Sequence, residues 1–334
     1  MSNHIVPIFI PHEGCPHDCV FCNQKRISGC VSAPNEDEVR EMIFRHIGTN
    51  YGRNMEIAFY GGSFTGIPLK EQERYLRTAS EFEQTEIKAS TRPDCISDEV
   101  ITLLKKYNVK MIELGVQSMS DSVLNLSGRG HSVKDVIQAV NRLKGADITV
   151  GIQTMTGLPG DSFEGALETA KRVIELKPEV VRIYPTLVIK GTALHDMYIA
   201  GTYVPMELEE SVELASQLMD LYEDAGIKVI RVGLQATDSI AVQDNEGNSD
   251  VIAGPFHPAF RQLAESKRAY RIIKDFINSR VDYLEHPKMT LKRDCEEKVV
   301  YIKSKIFSVS DITGQKRINK ENILKEFGYI MQIC

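Results

Sequence analysis

Over the first two-thirds of the chain, short apolar runs alternate with longer stretches whose apolar positions recur every three or four residues. The short runs are His4–Ile10, Met55–Tyr60, Glu86–Thr91, Met111–Val116, Thr149–Met155 and Val180–Pro185. Each reads as a strand. The longer stretches read as helices, several with their own start signals. Asn35 with Glu38 three residues on predicts a cap and a helix to about Ile47, and Pro68 opens one to about Phe82. Ser97 caps a helix ending near Asn108. Ser132 caps another from Val133, after a short helical turn at Asp121–Leu126. Further helices are expected over Asp161–Leu176 and Met206–Ala225. Strands alternating with helices of this length pair in parallel through right-handed crossovers. The expected class is therefore α/β: a partial (β/α)6, TIM-like barrel with a small C-terminal extension. On such sheets an active site lies outside the C-terminal strand ends.

Beyond Lys228–Gly233 the pattern loosens. Leu234–Asp250 is polar and loop-like, a candidate lid; Pro258–Ile277 reads as a helix with Ile273, Phe276 and Ile277 on one face. Val281–Phe307 is mixed, with a strand candidate at Val299–Ile302. Two domains are expected: 1–235, the barrel with its N-terminal loop, and 236–334, a basic extension suited to substrate binding.

The 334 residues are 42% apolar, enough for a sizeable core, and no apolar run approaches the ~20 residues a membrane helix needs. No leader pattern is visible at the N-terminus, so the expected compartment is cytoplasmic, with no membrane partner. A net charge of −6 argues against a generally adhesive nucleic-acid binder. The charge is uneven, however. From Pro258 onward there are 16 Lys and Arg against 10 Asp and Glu, while the rest of the chain has 24 against 36. A basic tail on an acidic body suits a polyanionic partner; a solvated surface with clustered charges is the plainer reading.

The chemistry begins at Gly14-Cys15-Pro16-His17-Asp18-Cys19-Val20-Phe21-Cys22-Asn23, directly after the first strand. Three cysteines spaced C-x₃-C-x₂-C cannot share one strand or one helix face. They fit a loop around a metal centre, turned by Gly14 and Pro16. Three thiolates suit an iron–sulfur cluster with one iron left open, since a fully protein-ligated cubane takes four. Structural zinc, with His12 or His17 as fourth ligand, is the alternative. Zinc motifs usually split their ligands into two spaced pairs, and no second pair is present. Seven cysteines, an odd number, argue against a disulfide framework.

This loop, with the aromatic Phe21 just before the last cysteine, resembles the radical S-adenosylmethionine (radical SAM) superfamily. The resemblance implies a 4Fe-4S cluster on Cys15, Cys19 and Cys22, with SAM held at the open iron through its amino and carboxylate groups. It also implies reductive cleavage to methionine and a 5′-deoxyadenosyl radical. Other positions follow from the same resemblance. The Gly61-Gly62 pair after the second strand would hold the SAM amino group, with Ser63 where relatives often carry an acid. Ser90 would face the sugar, and Gln153, before the Gly157-Leu158-Pro159-Gly160 turn, would reach the ribose. In Glu113-Leu114-Gly115-Val116-Gln117-Ser118 and Leu126-Ser127-Gly128-Arg129-Gly130-His131 the chain is similar to oxygen-independent coproporphyrinogen oxidases and the Elongator catalytic subunit. There Gln117 and Arg129 would contact SAM. The string Arg182-Ile183-Tyr184-Pro185-Thr186-Leu187-Val188-Ile189-Lys190-Gly191-Thr192 resembles the Elongator subunit.

These expectations define a radical SAM enzyme acting on tRNA or another RNA, and fed electrons by a flavodoxin- or ferredoxin-type protein. No acetyl-CoA loop of the form Gln/Arg-x-x-Gly-x-Gly/Ala occurs after Pro258, so the Elongator-like barrel is expected without its acetyltransferase domain. The alternatives are a small-molecule substrate such as a porphyrinogen, or a non-catalytic RNA-binding module stabilised by zinc or a cluster. Cys30, Cys95, Cys295 and Cys334 show no ligand spacing with one another, and free cysteine is usually a small buried hydrophobe. His131 reads as structural, and His257 as a turn residue or one at the barrel mouth.

Overall fold

The computed structural model describes residues 4–10, 15, 17–22, 32–49, 55–83, 85–234, 249–279 and 281–334. His12, Gly14, Pro16, Asn23, Cys30 and most of the 234–250 loop lie outside the described residues. The chain divides into two compact units, Met1–Glu207 with Tyr222–Phe256, and Leu208–Leu221 with His257–Cys334.

The first unit is a seven-stranded parallel sheet. Its strands are β1 (His4–Ile10), β2 (Met55–Gly61), β3 (Thr85–Thr91), β4 (Val109–Gln117), β5 (Thr149–Thr156), β6 (Val180–Pro185) and β8 (Lys228–Val232). They lie side by side in chain order, so each crossover returns to the neighbouring position. Strand β8 is a seventh member beyond the six that the hydrophobic pattern marks. A short antiparallel pair, β7 (Val188–Ile189) and β9 (Val251–Ala253), stands apart from it.

The connecting helices are α1 (Glu36–Thr49), α2 (Leu69–Ser80), α3 (Asp98–Lys106), α4 (Asp121–Leu126), α5 (Val133–Gly145), α6 (Phe163–Glu175) and α7 (Ala193–Ile199). Their start signals act as the sequence indicates. The Glu38 amide donates to the Asn35 side chain at 3.0 Å, while the Asn35 amide donates to Glu38 at 2.7 Å. Ser97 accepts from the Val100 amide, and Ser132 with Asp135 closes a second capping box. Burial on both faces, as in β2 where Met55, Ile57, Ala58 and Phe59 are all buried, is what a helix-flanked parallel sheet requires. One set of alternate positions is nonetheless polar: Ser90 lies opposite Glu113, and Gln153 opposite Arg182.

The second unit packs helices on a four-stranded sheet of order β10 (Tyr283–Glu285), β11 (Met289–Asp294), β12 (Val299–Ser304) and β13 (Ile330–Ile333). The first three strands are antiparallel and β13 joins β12 in parallel. Its core brings Ile273 and Phe276 of α9 (Phe260–Asn278) against Leu291, Val300, Ile302 and Met331. Ile312 of α10 (Val309–Thr313) and Ile323 of α11 (Ile318–Phe327) complete it.

The segment 208–221, the first part of α8 (Leu208–Asp224), belongs to this unit and alters its charge. It adds Glu209, Glu210, Glu213 and Asp220 to the ten carboxylates of the tail, against the same 16 bases. Arg271 bonds Glu213 at 2.8 Å and Asp220 at 2.9 Å; Arg268, almost wholly buried, bonds Asp220 at 2.9 Å and Glu265 at 2.7 Å. Lys267 lies 3.6 Å from Glu209. Much of the tail's basic excess is therefore matched internally. No helix among the described residues is long and apolar enough to cross a membrane.

Candidate active site at the C-terminal strand ends

The cysteine loop leaves the end of β1 and is fastened by backbone hydrogen bonds. The Val20 amide donates to the Ser127 carbonyl at 3.1 Å, and the Val20 carbonyl accepts from the Leu194 amide at 2.7 Å. The Cys22 amide donates to the Cys19 carbonyl at 3.0 Å, closing a turn between two of the three cysteines. Phe21 packs with Val20 on a cluster of Val188, Leu194 and Tyr203. The turn after α4 presses on the loop from the other side. Gly130 has φ +69°, and a Cβ there would stand 2.2 Å from the His17 ring, so only glycine lets the two segments meet. At the end of β2, Gly61 (φ +112°) is equally constrained: a Cβ would stand 2.5 Å from the Ile10 carbonyl oxygen.

These segments enclose a cavity of about 300 Å³ at the C-terminal ends of the parallel strands. Cys15, Cys19, Phe21, Cys22, Gly61, Gly62, Ser90, Gln117, Arg129 and Gln153 all line it. Ser63 does not. Its hydroxyl is tied to Thr91 Oγ1 at 2.8 Å and accepts from the Arg92 amide at 3.2 Å, while its own amide donates to the Cys15 sulfur. Ser63 thus connects the cysteine loop to the end of β3.

Two guanidinium groups stand over the thiols. Arg129 donates through Nη1 to Cys19 Sγ at 3.1 Å and through Nη2 to the Gly115 carbonyl at 2.6 Å, leaving Nε buried without a partner. Arg92, which also lines the cavity, is chelated by Asp94 at 3.0 Å and donates through Nη2 to the Arg129 carbonyl; its Nη1 is likewise buried and unpartnered. Buried polar atoms are normally satisfied, so orphaned donors on two cations at a cavity wall mark where an anionic ligand belongs. Burial pushes the Cys15 thiol up and the neighbouring Cys19 adds to this, against the pull of Arg92 and Arg129. Among the described residues, no three of His, Cys, Asp and Glu converge as a single metal ion would need. Cys15, Cys19 and Cys22 all line the cavity, with Arg92 and Arg129 near enough to Cys15 to oppose the rise in its pKa.

Gln117 sits at a bulge where the pairing of β4 with β5 shifts register. Its φ is +67°, in the left-handed region that a non-glycine residue occupies at a cost. Its amide has no hydrogen-bond partner among the described residues and faces the cavity.

Below this, Glu113 and Arg182 form a buried bidentate ion pair at 2.6 and 2.9 Å. Gln153 donates through Nε2 to Glu113 at 3.1 Å and to Ser90 Oγ at 3.4 Å. A carboxylate only accepts, so Glu113 fixes the Gln153 amide with its nitrogen downward and leaves Oε1 free to accept from a ligand. Arg182 also donates to the Tyr60 hydroxyl at 3.4 Å, and burial pushes that phenol up to about 12.

Arg92, Glu113, Arg182 and Tyr60 belong to no motif that marks them individually in the sequence. Arg92 stands beside Pro93 and Asp94, a composition that by itself indicates only a turn. The only available signal for Glu113 and Arg182 was a charge inside an apolar strand run. Cys95 is half-buried, with its thiol pushed up by burial, and does not line the cavity. His131 is buried and bonds the Val116 carbonyl at 3.3 Å, as a structural residue would. His257 accepts from the Ala259 amide at 3.0 Å within a turn of the second unit.

The family model of the radical SAM superfamily matches residues 9–173, and that of the radical SAM C-terminal domain matches 178–270. An uncharacterized protein of Methanocaldococcus jannaschii is 31% identical over 62% of this chain and 68% of its own length. The chain belongs to the radical SAM superfamily. It is accordingly an enzyme of that group. The tRNA uridine(34) acetyltransferase of M. jannaschii is 28% identical over 64% of this chain and 48% of its own length. Elongator complex protein 3 of Homo sapiens is 27% identical over 50% and 35%. The chain thus spans about half or less of those two relatives. In fold, this radical SAM enzyme is similar to an archaeal Elp3 of Methanocaldococcus infernus lacking its N-terminus, with a TM-score of 0.61, 18% identity and coverage of 99% and 93%.

Proposed function

We propose that this enzyme holds a 4Fe-4S cluster on Cys15, Cys19 and Cys22, binds SAM beside it, and modifies a base of tRNA. The observation that carries the cofactor reading is the pair of buried, unpartnered guanidinium nitrogens of Arg92 and Arg129 beside the three thiols. With both groups bound, the cluster would supply the electron that splits the SAM sulfonium and so starts hydrogen abstraction. The chain's own residues bind and orient. Arg129 and Arg92 offset the negative charge of thiolates and of the SAM carboxylate. The Gln117 amide offers a donor and an acceptor, and Gln153 Oε1, held by Glu113, accepts from a ribose hydroxyl. Met155, Tyr184, Pro185, Leu187, Ile189 and Leu234 form an apolar wall that keeps water from a reactive radical. A flavodoxin- or ferredoxin-type protein would deliver the electron.

The tRNA substrate rests on the relatives that match the barrel, among them a tRNA uridine(34) acetyltransferase. Nucleoside mass spectrometry of tRNA from a deletion strain tests it. Loss of one modified nucleoside would identify the product. An unchanged profile would refute the tRNA substrate and point to a small molecule.

A further inference from the structure

The second unit has an outer sheet face that the cofactor chemistry does not use. Its register aligns Tyr283, Lys292, Tyr301 and Gln332 in one row across β10, β11, β12 and β13. Tyr283 is 60% exposed, Lys292 and Gln332 are exposed and Tyr301 is half-buried. The alternate residues Leu291, Val300, Ile302 and Met331 point into the helical core, which fixes the row on the outward side. The next row brings Glu285, Thr290 and Lys303 together.

We propose that this face docks single-stranded RNA, with Tyr283 and Tyr301 each stacking a base and Lys292 and Lys303 meeting the phosphates. The proposal rests on the tRNA reading above, because the docked strand would be an unpaired segment of that substrate. Adjacent strands lie ~4.8 Å apart, so the two tyrosines, separated by Lys292, stand roughly 10 Å apart and leave room for a base on each. A base offers a flat face whatever its identity, and aromatic side chains on an open sheet are a recurrent platform for it.

The charges have a direction. Asp294, Glu296 and Glu297 occupy the hairpin-turn end, where Asp294 accepts from the amides of Glu296 and Glu297, and Glu297 accepts from the Tyr301 hydroxyl at 3.3 Å. Away from that turn come Lys292, Lys303 and then Lys305, the last bonded to Glu285 at 3.1 Å. Neither Lys292 nor Lys303 has an ion-pair partner among the described residues. A lysine standing between two tyrosines in the register row suits a phosphate backbone better than a protein partner, because lysine is depleted in the cores of protein interfaces. Gln332, at the row's end, presents an amide to a base edge.

The test uses the full chain and measures fluorescence anisotropy with labelled oligouridylate and with unfractionated tRNA. Tyr283→Ala and Tyr301→Ala should each weaken binding by about fivefold to a hundredfold, and Tyr→Phe at either position should restore it. Lys292→Ala and Lys303→Ala should each reduce the salt slope of oligouridylate binding by about 0.7. Thermal melting separates loss of contact from loss of fold, and the phenylalanine and lysine variants leave the core intact. Wild-type tRNA binding matched by folded tyrosine variants would overturn this surface and leave the tRNA reading standing. Tyrosine-dependent oligouridylate binding in a protein whose deletion alters no tRNA nucleoside would support the surface and remove the substrate. A dimer in sedimentation that the tyrosine variants dissolve would make the occupant a second copy and overturn the RNA assignment.

Discussion

Gln117→Gly separates cofactor binding from folding at a single residue. The residue holds φ +67° at a strand bulge, which costs an ordinary side chain about 1–2 kcal/mol. Glycine removes that strain and returns about 0.5–1 kcal/mol as lost chain entropy. The Gln117 amide has no partner among the described residues, so its removal breaks no internal hydrogen bond. The variant should therefore be as stable as the parent or more so, by up to about 1.5 kcal/mol. Cofactor affinity should move the other way. A neutral hydrogen bond to the ligand is worth about 0.5–1.5 kcal/mol, hence about a two- to twelvefold rise in Kd for each one lost. Urea denaturation of the apoprotein gives the first quantity, and equilibrium dialysis of SAM against reconstituted protein gives the second. A variant less stable by more than ~1 kcal/mol that binds SAM normally would refute the reasoning and make Gln117 a scaffold residue.

Two further outcomes follow from the same geometry. Cys19→Ala should lose most reconstituted iron and acid-labile sulfide, and with it reductive SAM cleavage, because two thiolates remain where three are needed; retention of full cleavage would sink the cluster assignment. His131, whose pKa burial lowers from 6.5 to about 4, with Arg129 and Arg92 adding to this, stays neutral in the fold while the unfolded chain takes up a proton below 6.5. Its contribution is complete above pH 6.5 and is lost as pH falls toward 4, by about 3 kcal/mol in total at 1.36 kcal/mol per unit. His131→Gln should flatten the acid limb of a stability profile between those values, and an unchanged limb would assign it to other groups.

The barrel was legible because local and global signals agree there. Asn35, Ser97 and Ser132 cap the helices that the apolar periodicity outlines, and each strand end carries a recognisable turn. That these residues share one cavity was legible for the same reason, since Cys15, Gly61, Ser90, Gln117 and Gln153 are all near ends of successive strands. What lay hidden depends on pairs distant in sequence. Glu113 and Arg182 are 69 positions apart, and either alone reads as an oddity in an apolar run. Arg92 has a partner two residues away in Asp94, and that near partner masked its place on the cavity wall. The small sheet was mostly invisible because β10 is three residues long and β11 alternates Met289, Leu291 and a buried Arg293 with polar positions. Arg293 donates to the Ile277 carbonyl at 2.9 Å, so a charged side chain serves as a core residue there.

The tail shows why a charge sum is a poor guide to an anionic partner. Counted along the chain, Lys267, Arg268 and Arg271 look like the centre of a phosphate-binding helix. In the fold they face Glu209, Glu213, Asp220 and Glu265, and removing them would unpair carboxylates. Breaking a buried pair is strongly destabilising, so lost RNA binding in an Arg268→Ala variant would report unfolding rather than phosphate contact. The cations able to exchange water for phosphate are those without a protein partner. Among the described residues these include Lys292 and Lys303 on the sheet face, and Lys316 and Arg317 at the exposed turn before α11. Lys292 shares its register row with Tyr283 and Tyr301, and Lys303 stands in the next row. An electrostatic partner seeks unpaired charge, and a base seeks a ring. Where both occur in one register row, the position of the charges carries more information than their number.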